Sequence, residues 1–175
     1  MKQYITIGGS GERMKAISPL DKQNLYYGNE TILELIYKIF PDAELLGAEK
    51  TNSRRETLSQ IAGETDCLII DCDVIPNGCE IQEFETDTIY AFMTNAPKYC
   101  SLVTDGKVLL EAHEHEHVSQ LKASGVYYIK SIDRLLERMK DDNSIASGMI
   151  GAKVIQENSY IRLGDVADYY EALGL

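Results

Sequence analysis

Apolar residues in this chain gather in short runs separated by polar turns, and the runs come in two kinds. "QYITI" (3–7) is brief and β-branched and reads as a strand. "TILELIYKIF" (31–40) is apolar on almost every side. It starts with Thr31 and Glu34 at capping-box spacing and predicts a buried helix stopped by Pro41. "AELLGA" (43–48) predicts a short strand, and "SRRETLSQIAG" (53–63) a helix ending at Gly63. "CLIIDCDVIP" (67–76) predicts a second buried strand with two aspartates at its C-terminal end. The order β-loop-α-β-α-β is the pattern of a parallel sheet with crossover helices. Such sheets bind ligands beyond the C-terminal ends of their strands, where both a glycine run and the aspartates fall.

The second half is richer in strands. "TIYAFMT" (88–94), "YCSLVT" (99–104), "KVLLEAH" (107–113) and "GVYYIK" (125–130) predict strands, with "TDGK" (104–107) as a hairpin turn. "SIDRLLERMK" (131–140) predicts a helix capped by Ser131. "GDVADYYEALGL" (164–175) predicts a last helix with Asp165 as N-cap and Val166, Tyr169, Tyr170 and Leu173 on its packing face. With no repeat or linker, the expectation is a single α/β domain over residues 1–175.

Composition supports this and narrows the chemistry. The chain has 175 residues, of which 44% are hydrophobic, enough for a substantial core. Its formal net charge is −11, which disfavours a nucleic-acid partner. Any anionic substrate must therefore be met by particular Arg and Lys residues or by a metal. No window is long and apolar enough to span a membrane, and "MKQYITIGG" enters a strand without a leader-like apolar run, so a cytoplasmic protein is expected. Cys67, Cys72, Cys79 and Cys100 form no CxxC pair and read as reduced thiols, with Cys67 and Cys72 on a strand.

Two stretches carry candidate chemistry. "IGGSGERMKAISPLDKQN" (7–24) follows the first strand. It lacks the Gly-Lys-Ser/Thr ending of a P-loop, and Met14 stands where a Rossmann turn needs its third glycine. What remains is a run of small residues, Gly8, Gly9, Ser10 and Gly11, whose N–H groups can curl around phosphates, with Arg13 and Lys22 to neutralise them. The plainer alternative is a glycine-rich turn with solvated charges. In "LIIDCDVIP", Asp73 and then Asp71 are the candidate ligands of Mg²⁺, a hard cation that keeps waters and phosphate oxygens in its shell. Asp-x-Asp also suits nucleotide-sugar glycosyltransferases and, less well, haloacid-dehalogenase phosphatases. In the alternative without a metal, Asp71 simply ends a buried strand. His113, His115 and His117 of "EAHEHEHV" would share one face of a strand, as metal ligands or as a solvated edge.

"GGSGERM…SPLDKQNL" resembles the signature of the sugar-phosphate nucleotidyltransferases, in which a glycine loop, an Arg and a Lys hold the nucleotide phosphates. The resemblance runs along nearly the whole chain. It implies a Rossmann-like, three-layer, GT-A-like fold with a mixed, mainly parallel central sheet. By motif, nucleotide binding falls on Gly8, Gly9, Ser10, Gly11, Arg13 and Lys22, and catalysis on Arg13, Lys22 and Asp73. "EHEHVSQLKASGVYYIKS" (114–131) matches the sugar-phosphate region at Glu114 and Gly125. His115 stands where the family has Lys, and Lys122 is a nearby substitute. "YIRLGDVADYYEAL" (160–173) matches the family's close at Gly164, Asp168 and Tyr169, with Arg162 where a second metal-binding Asp is expected and Asp165 nearby. The resemblance thus implies Glu114, His115 and Gly125 around a sugar phosphate, Mg²⁺ on Asp73, Asp71 and Asp165, and partners that are a nucleoside triphosphate and a sugar phosphate. Arg162 cannot bind Mg²⁺, but its planar fork suits a phosphate, so it is expected to join the sugar-phosphate residues or to pair with an aspartate of the site, the plainer alternative being that it points to solvent. The implied reaction yields a nucleoside-diphosphate sugar and pyrophosphate. The rival expectations are a nucleotide- or sugar-binding protein without turnover and a Mg²⁺-dependent phosphatase. Arg54 and Arg55 lie where the family approaches base and ribose, and equally read as a solvated helix start.

Overall fold

A computed structural model describes residues 1–7, 18, 20–47, 51–76, 81–139, 144–157 and 160–174. In chain order the elements are β1 (Lys2–Thr6), a small hairpin of β2 (Tyr26–Tyr27) and β3 (Glu30–Thr31), α1 (Ile32–Ile39), β4 (Glu44–Leu46) and α2 (Arg54–Ser59). There follow β5 (Thr65–Asp71), β6 (Val74–Pro76), β7 (Thr88–Met93), β8 (Ser101–Thr104), β9 (Leu109–His113) and β10 (Leu121–Ser131). The chain closes with α3 (Ile132–Arg138), α4 (Ile145–Gly148), β11 (Lys153–Gln156), β12 (Tyr160–Arg162) and α5 (Val166–Leu173).

The central sheet runs β11-β7-β10-β5-β1-β4. β4, β1 and β5 are mutually parallel, as are β7 and β11, and β10 alone runs against its neighbours. β8 and β9 extend from β10 as an antiparallel pair. The sheet is therefore mixed and mainly parallel, as the motif order implies.

Alternation along the strands divides the core in two. Cys67, Ile69, Ile89 and Ile129 face one side, where Leu58, Ile132, Leu135 and Ile145 from α2, α3 and α4 cover them. Leu68, Ile70, Tyr90 and Val126 face the other, covered by Ile32 and Ile36 of α1 and by Val74 and Leu163. With both faces covered, β5 has no room for a polar alternation, which is why its sequence is an unbroken apolar run.

Capping fixes the helices where the sequence places them. Thr31 Oγ1 accepts from Glu34 N at 3.2 Å while Glu34 Oε2 accepts from Thr31 N at 2.7 Å, so the capping box of α1 is complete. Ser131 and Asp165 cap α3 and α5. Other boundaries differ from the expectation. Residues 67–76 are two strands, because the chain turns at Cys72 and Asp73 and β6 leaves the sheet to pair with β12. α2 stops at Ser59, and turns carry the chain to Gly63. α1 buries only Ile32 and Ile36 completely. On α5, Val166, Tyr169 and Ala172 pack inward while Tyr170 and Leu173 are exposed. No helix among the described residues is long and apolar enough to cross a membrane.

Candidate active site

The site forms where β1, β5 and β10 meet. The parallel register of β1 and β5 sets Thr6 beside Asp71, and the Thr6 hydroxyl donates to Asp71 Oδ1 at 3.0 Å. Arg54, the first residue of α2, reaches Asp71 Oδ2 at 3.0 Å. Two residues on, the turn after β5 presents Asp73, whose Oδ2 accepts from Lys22 Nζ at 3.0 Å. Each strand-end aspartate thus has its own cation. Burial pushes the Asp71 carboxyl above its ordinary value, against the pull of Arg54. Burial would do the same to Asp73, but Lys22 and Arg162 outweigh it and hold that carboxyl below the usual range.

β10 passes directly beneath this turn. Gly125 lies one residue beyond the Val126–Ile70 pair, at φ +93°. A Cβ there would stand 2.9 Å from both Asp71 Oδ2 and Val74 Cγ2. Glycine is required because the strand approaches a carboxylate it must not displace. Gly164 does similar work from the other side: a Cβ on it would lie 3.3 Å from Asp73 Oδ2 and 3.5 Å from Asp168 Oδ2.

Two cavities share this charged wall. The first, about 240 Å³, is lined by Thr6, Asp21, Thr51, Asn52 and Ser53 together with Lys22, Arg54, Asp71 and Asp73. Ile7 and Asp21 also line it; they lie on either side of the glycine-rich stretch. Gly8, Gly9, Ser10, Gly11 and Arg13 themselves lie outside the described residues, as does Cys79. The second cavity, about 430 Å³, has the same four charged residues on one wall and Glu114, His115, Gly125, Tyr127, Arg162 and Gly164 around it. The candidate sugar-phosphate residues therefore converge on one space, drawn from a turn, β10 and β12.

The geometry separates other candidates. His113 alone of the histidines is on a strand; its Nε2 meets Glu111 Oε2 at 2.8 Å. His115 turns through φ +58°, so the alternating face expected of the three histidines does not form. Lys122 does not line either cavity: it is fully buried on β10 and donates to the Ser101 hydroxyl. Arg55 donates to the Met139 carbonyl at 3.3 Å rather than standing as a solvated helix start. Cys67, Cys72 and Cys100 are buried free thiols, Cys72 lying beyond the end of β5 rather than on it.

Lys98 and Tyr99 belong to the second cavity although no motif marks them. Lys98 Nζ donates to Asp165 Oδ2 at 2.6 Å and to Asp168 Oδ1 at 2.7 Å, and Tyr99 donates its hydroxyl to Asp168 Oδ2. Burial pushes the Tyr99 hydroxyl up to about 12. The only sequence signal was a Lys-Tyr pair in a loop, which nothing distinguishes from a solvated one.

Among the described residues no group of three or more Asp, Glu, His or Cys side chains is arranged to hold a metal. Asp71 is enclosed by Arg54, Thr6 and the close approach of Gly125. Asp165 spends one oxygen on the α5 cap and the other on Lys98. Asp73 lines both cavities, and its hard oxygens suit a single Mg²⁺ completed by water and substrate oxygens.

Comparison with protein-family models and with curated proteins finds no match to the sequence. Comparison with solved structures finds many of the same architecture. The chain superposes on a nucleoside-diphosphate-sugar pyrophosphorylase from Vibrio cholerae with a TM-score of 0.74 at 12% identity, covering 98% of this chain and 100% of that one. It superposes on the CTP:phosphocholine cytidylyltransferase of Streptococcus pneumoniae with a TM-score of 0.76 at 12% identity, covering 99% and 97%. For a UDP-glucose pyrophosphorylase from Acinetobacter baumannii the TM-score is 0.75 at 9% identity, covering 98% and 91%. At these identities the likeness is one of fold, and it extends over the whole chain.

Proposed function

We propose, from this nucleotidyltransferase fold and from the charged wall between its two cavities, that the protein is a nucleotidyltransferase. It joins a nucleoside triphosphate to a phosphorylated acceptor, a sugar 1-phosphate or a similar phosphate monoester, and releases pyrophosphate. The carrying observation is that Lys22, Arg54, Asp71 and Asp73 line both cavities at once. A group transferred between two ligands has to pass such a shared wall.

In this reading the first cavity takes the nucleotide. The glycine-rich stretch and Arg13 hold its outer phosphates. The acceptor lies in the second cavity with an anionic phosphate oxygen facing the α-phosphorus. That oxygen forms the new P–O bond as the α–β bridging bond breaks, and the electron pair leaves with pyrophosphate. The attacking oxygen is already charged, so no general base is needed. Positioning and charge neutralisation are the whole of the task. Lys22 turns its ammonium from Asp73 toward the charge that develops. Arg54 and Thr6 keep Asp71 from moving. Asp73 is the residue that would hold Mg²⁺, which supplies charge neutralisation to the phosphates. The solved structures named above include a nucleoside-diphosphate-sugar pyrophosphorylase and a CTP:phosphocholine cytidylyltransferase. Phosphocholine is a phosphate monoester, and this supports an acceptor of the same class here.

The test is to incubate the protein with a mixture of the four common nucleoside triphosphates, a panel of sugar 1-phosphates and Mg²⁺, and to measure pyrophosphate. The expected result is pyrophosphate release that Lys22→Ala lowers by roughly a hundredfold, the loss of a charged contact to the developing anion. Release of inorganic phosphate instead would identify a phosphatase. Saturable nucleotide binding without pyrophosphate would identify a binding protein, the reading favoured by Arg162 at a position where the family carries a carboxylate.

A further inference from the structure

Four Lys and Arg side chains line the second cavity, and three are already engaged with carboxylates. Lys22 is on Asp73, Arg54 on Asp71, and Lys98 on Asp165 and Asp168. Arg162 is different. Among the described residues no carboxylate lies within ion-pair distance of it. Its Nη1 donates to the Ala123 carbonyl at 3.2 Å and to the Ser124 carbonyl, where β10 bulges toward Gly125. Its guanidinium carbon stands 4.0 Å from the ring centre of Tyr99 and 4.8 Å from that of Phe92. Carbonyls and ring faces orient an arginine through dipoles and quadrupoles without a contact ion pair, so a charge that Asp73 feels only at longer range still has its contact positions open to a ligand. The clamp also fixes the rotamer before any ligand arrives, so little side-chain entropy remains to be lost on binding.

Position decides what this charge is for. β12 pairs with β6 so that Arg162 lies opposite Val74, next to Asp73, and Leu163 N donates to the Asp73 carbonyl at 2.9 Å. Arg162 lines the second cavity and not the first. Beside it the main chain is bare at Gly125 and Gly164, both of which also line that cavity. A planar, permanently charged fork matches a phosphate as no ammonium does. We propose that Arg162 is the anion anchor of the second cavity, seating a phosphate monoester through its own charge without a metal ion in the contact. The inference rests on the nucleotidyltransferase reading only for the identity of the acceptor. It assigns to an arginine, fixed by two rings and two carbonyls, the anion holding for which a divalent ion would otherwise be recruited.

The experiment is a titration of the full-length protein with inorganic phosphate, followed by ³¹P NMR in EDTA and again with Mg²⁺. Wild type, Arg162→Met and Arg162→Lys are compared, and thermal denaturation checks that each is folded. Nucleoside triphosphate binding is measured on the same three proteins. Phosphate is expected to bind wild type equally well in EDTA and in Mg²⁺. Arg162→Met is expected to weaken it by roughly tenfold or more, the range of a lost charged hydrogen bond, with triphosphate binding retained. Arg162→Lys keeps the charge without the fork and is expected to fall between the two; it remains informative if the methionine variant does not fold. Phosphate binding that requires Mg²⁺ would overturn the inference. So would unchanged phosphate affinity in Arg162→Lys with an unfolded Arg162→Met, or an equal loss of both ligands, the mark of a strut between β12 and β10. Arg162-dependent phosphate binding in a protein that never binds triphosphate would leave this inference standing and remove the proposed reaction.

Discussion

Replacing Gly125 with alanine is expected to destabilise the fold and disturb the site by one stroke. The added methyl would lie 2.9 Å from Asp71 Oδ2, 3.1 Å from Asp71 Cβ and 2.9 Å from Val74 Cγ2, in a backbone conformation at φ +93°. Neither neighbour can yield easily. Asp71 is held by Arg54 and Thr6, and Val74 is completely buried. A non-glycine residue in so sparsely populated a conformation costs about 1–3 kcal/mol. Forcing a methyl into a packed contact costs about 1–3 kcal/mol more. The sum is about 4 kcal/mol, a large share of the stability of an ordinary domain. For a chain of this size that lowers Tm by roughly 8–16 °C. Urea unfolding followed by circular dichroism measures it. Val74→Ala in the same background removes one of the two clashes, so the double mutant should lose less than the sum of the singles, by about 1 kcal/mol. A Gly125→Ala protein within about 0.5 kcal/mol of wild type would show that β10 does not press on Asp71, and the account of why glycine stands there would be wrong.

Two further outcomes follow from the charged pairs. Arg54→Ala leaves the buried Asp71 carboxylate without its cation; because Arg54 is itself partly solvated, the expected loss is about 1–2 kcal/mol rather than the full value of a buried pair, and Asp71→Asn in that background should recover part of it. Asp165 carries a pH signature: burial raises its carboxyl, but the Lys98 contact and the α5 cap outweigh burial and hold it below 3.8. A depressed carboxyl stabilises the fold fully above the unfolded value and loses that contribution as pH falls through the folded one. Asparagine still caps a helix, so Asp165→Asn should lower stability by about 1 kcal/mol at pH 7 through the ion pair alone. The gap between the two unfolding curves should close only below the ordinary value of 3.8; a gap that changes between pH 5 and 8 would assign the effect to another group.

What could be read from the chain in advance follows the range of the forces involved. The capping box of Thr31 and Glu34, the Ser131 cap and the "TDGK" turn rest on contacts three or four residues apart, and each stands where the sequence puts it. The parallel arrangement of β1, β4 and β5 was legible because apolar runs and helices alternate. The first part of β10 was not, since Lys122 and Ser124 are polar residues buried by tertiary packing. The exposed side of α5 was also misjudged. Periodicity gives a helix its stripe, but which edge of that stripe meets the protein is decided by β12 and by the Tyr26 carbonyl, which accepts from the Tyr169 hydroxyl. At the site, "DCD" announced itself as paired carboxylates in an apolar run. The partners of Arg162 did not: Phe92 and Tyr99 are 70 and 63 residues away in sequence, and two of its four contacts are main-chain oxygens that carry no residue identity.

The antiparallel placement of β10 beside β5 has a bearing on how the chain must be made. β5 is buried from Cys67 to Asp71, and β1 covers one of its edges almost as soon as it is synthesised. The other edge belongs to β10, and 49 residues separate Asp71 from Leu121. At about 5–20 residues per second, the ribosome needs roughly 2 to 10 seconds to supply them. During that interval a nascent chain presents an open, unpaired, aliphatic strand edge, the kind of template that pairs with the wrong partner. The acidic balance of the sequence then acts as a safeguard for the unfinished molecule, since like-charged nascent chains repel one another while the edge waits for its strand.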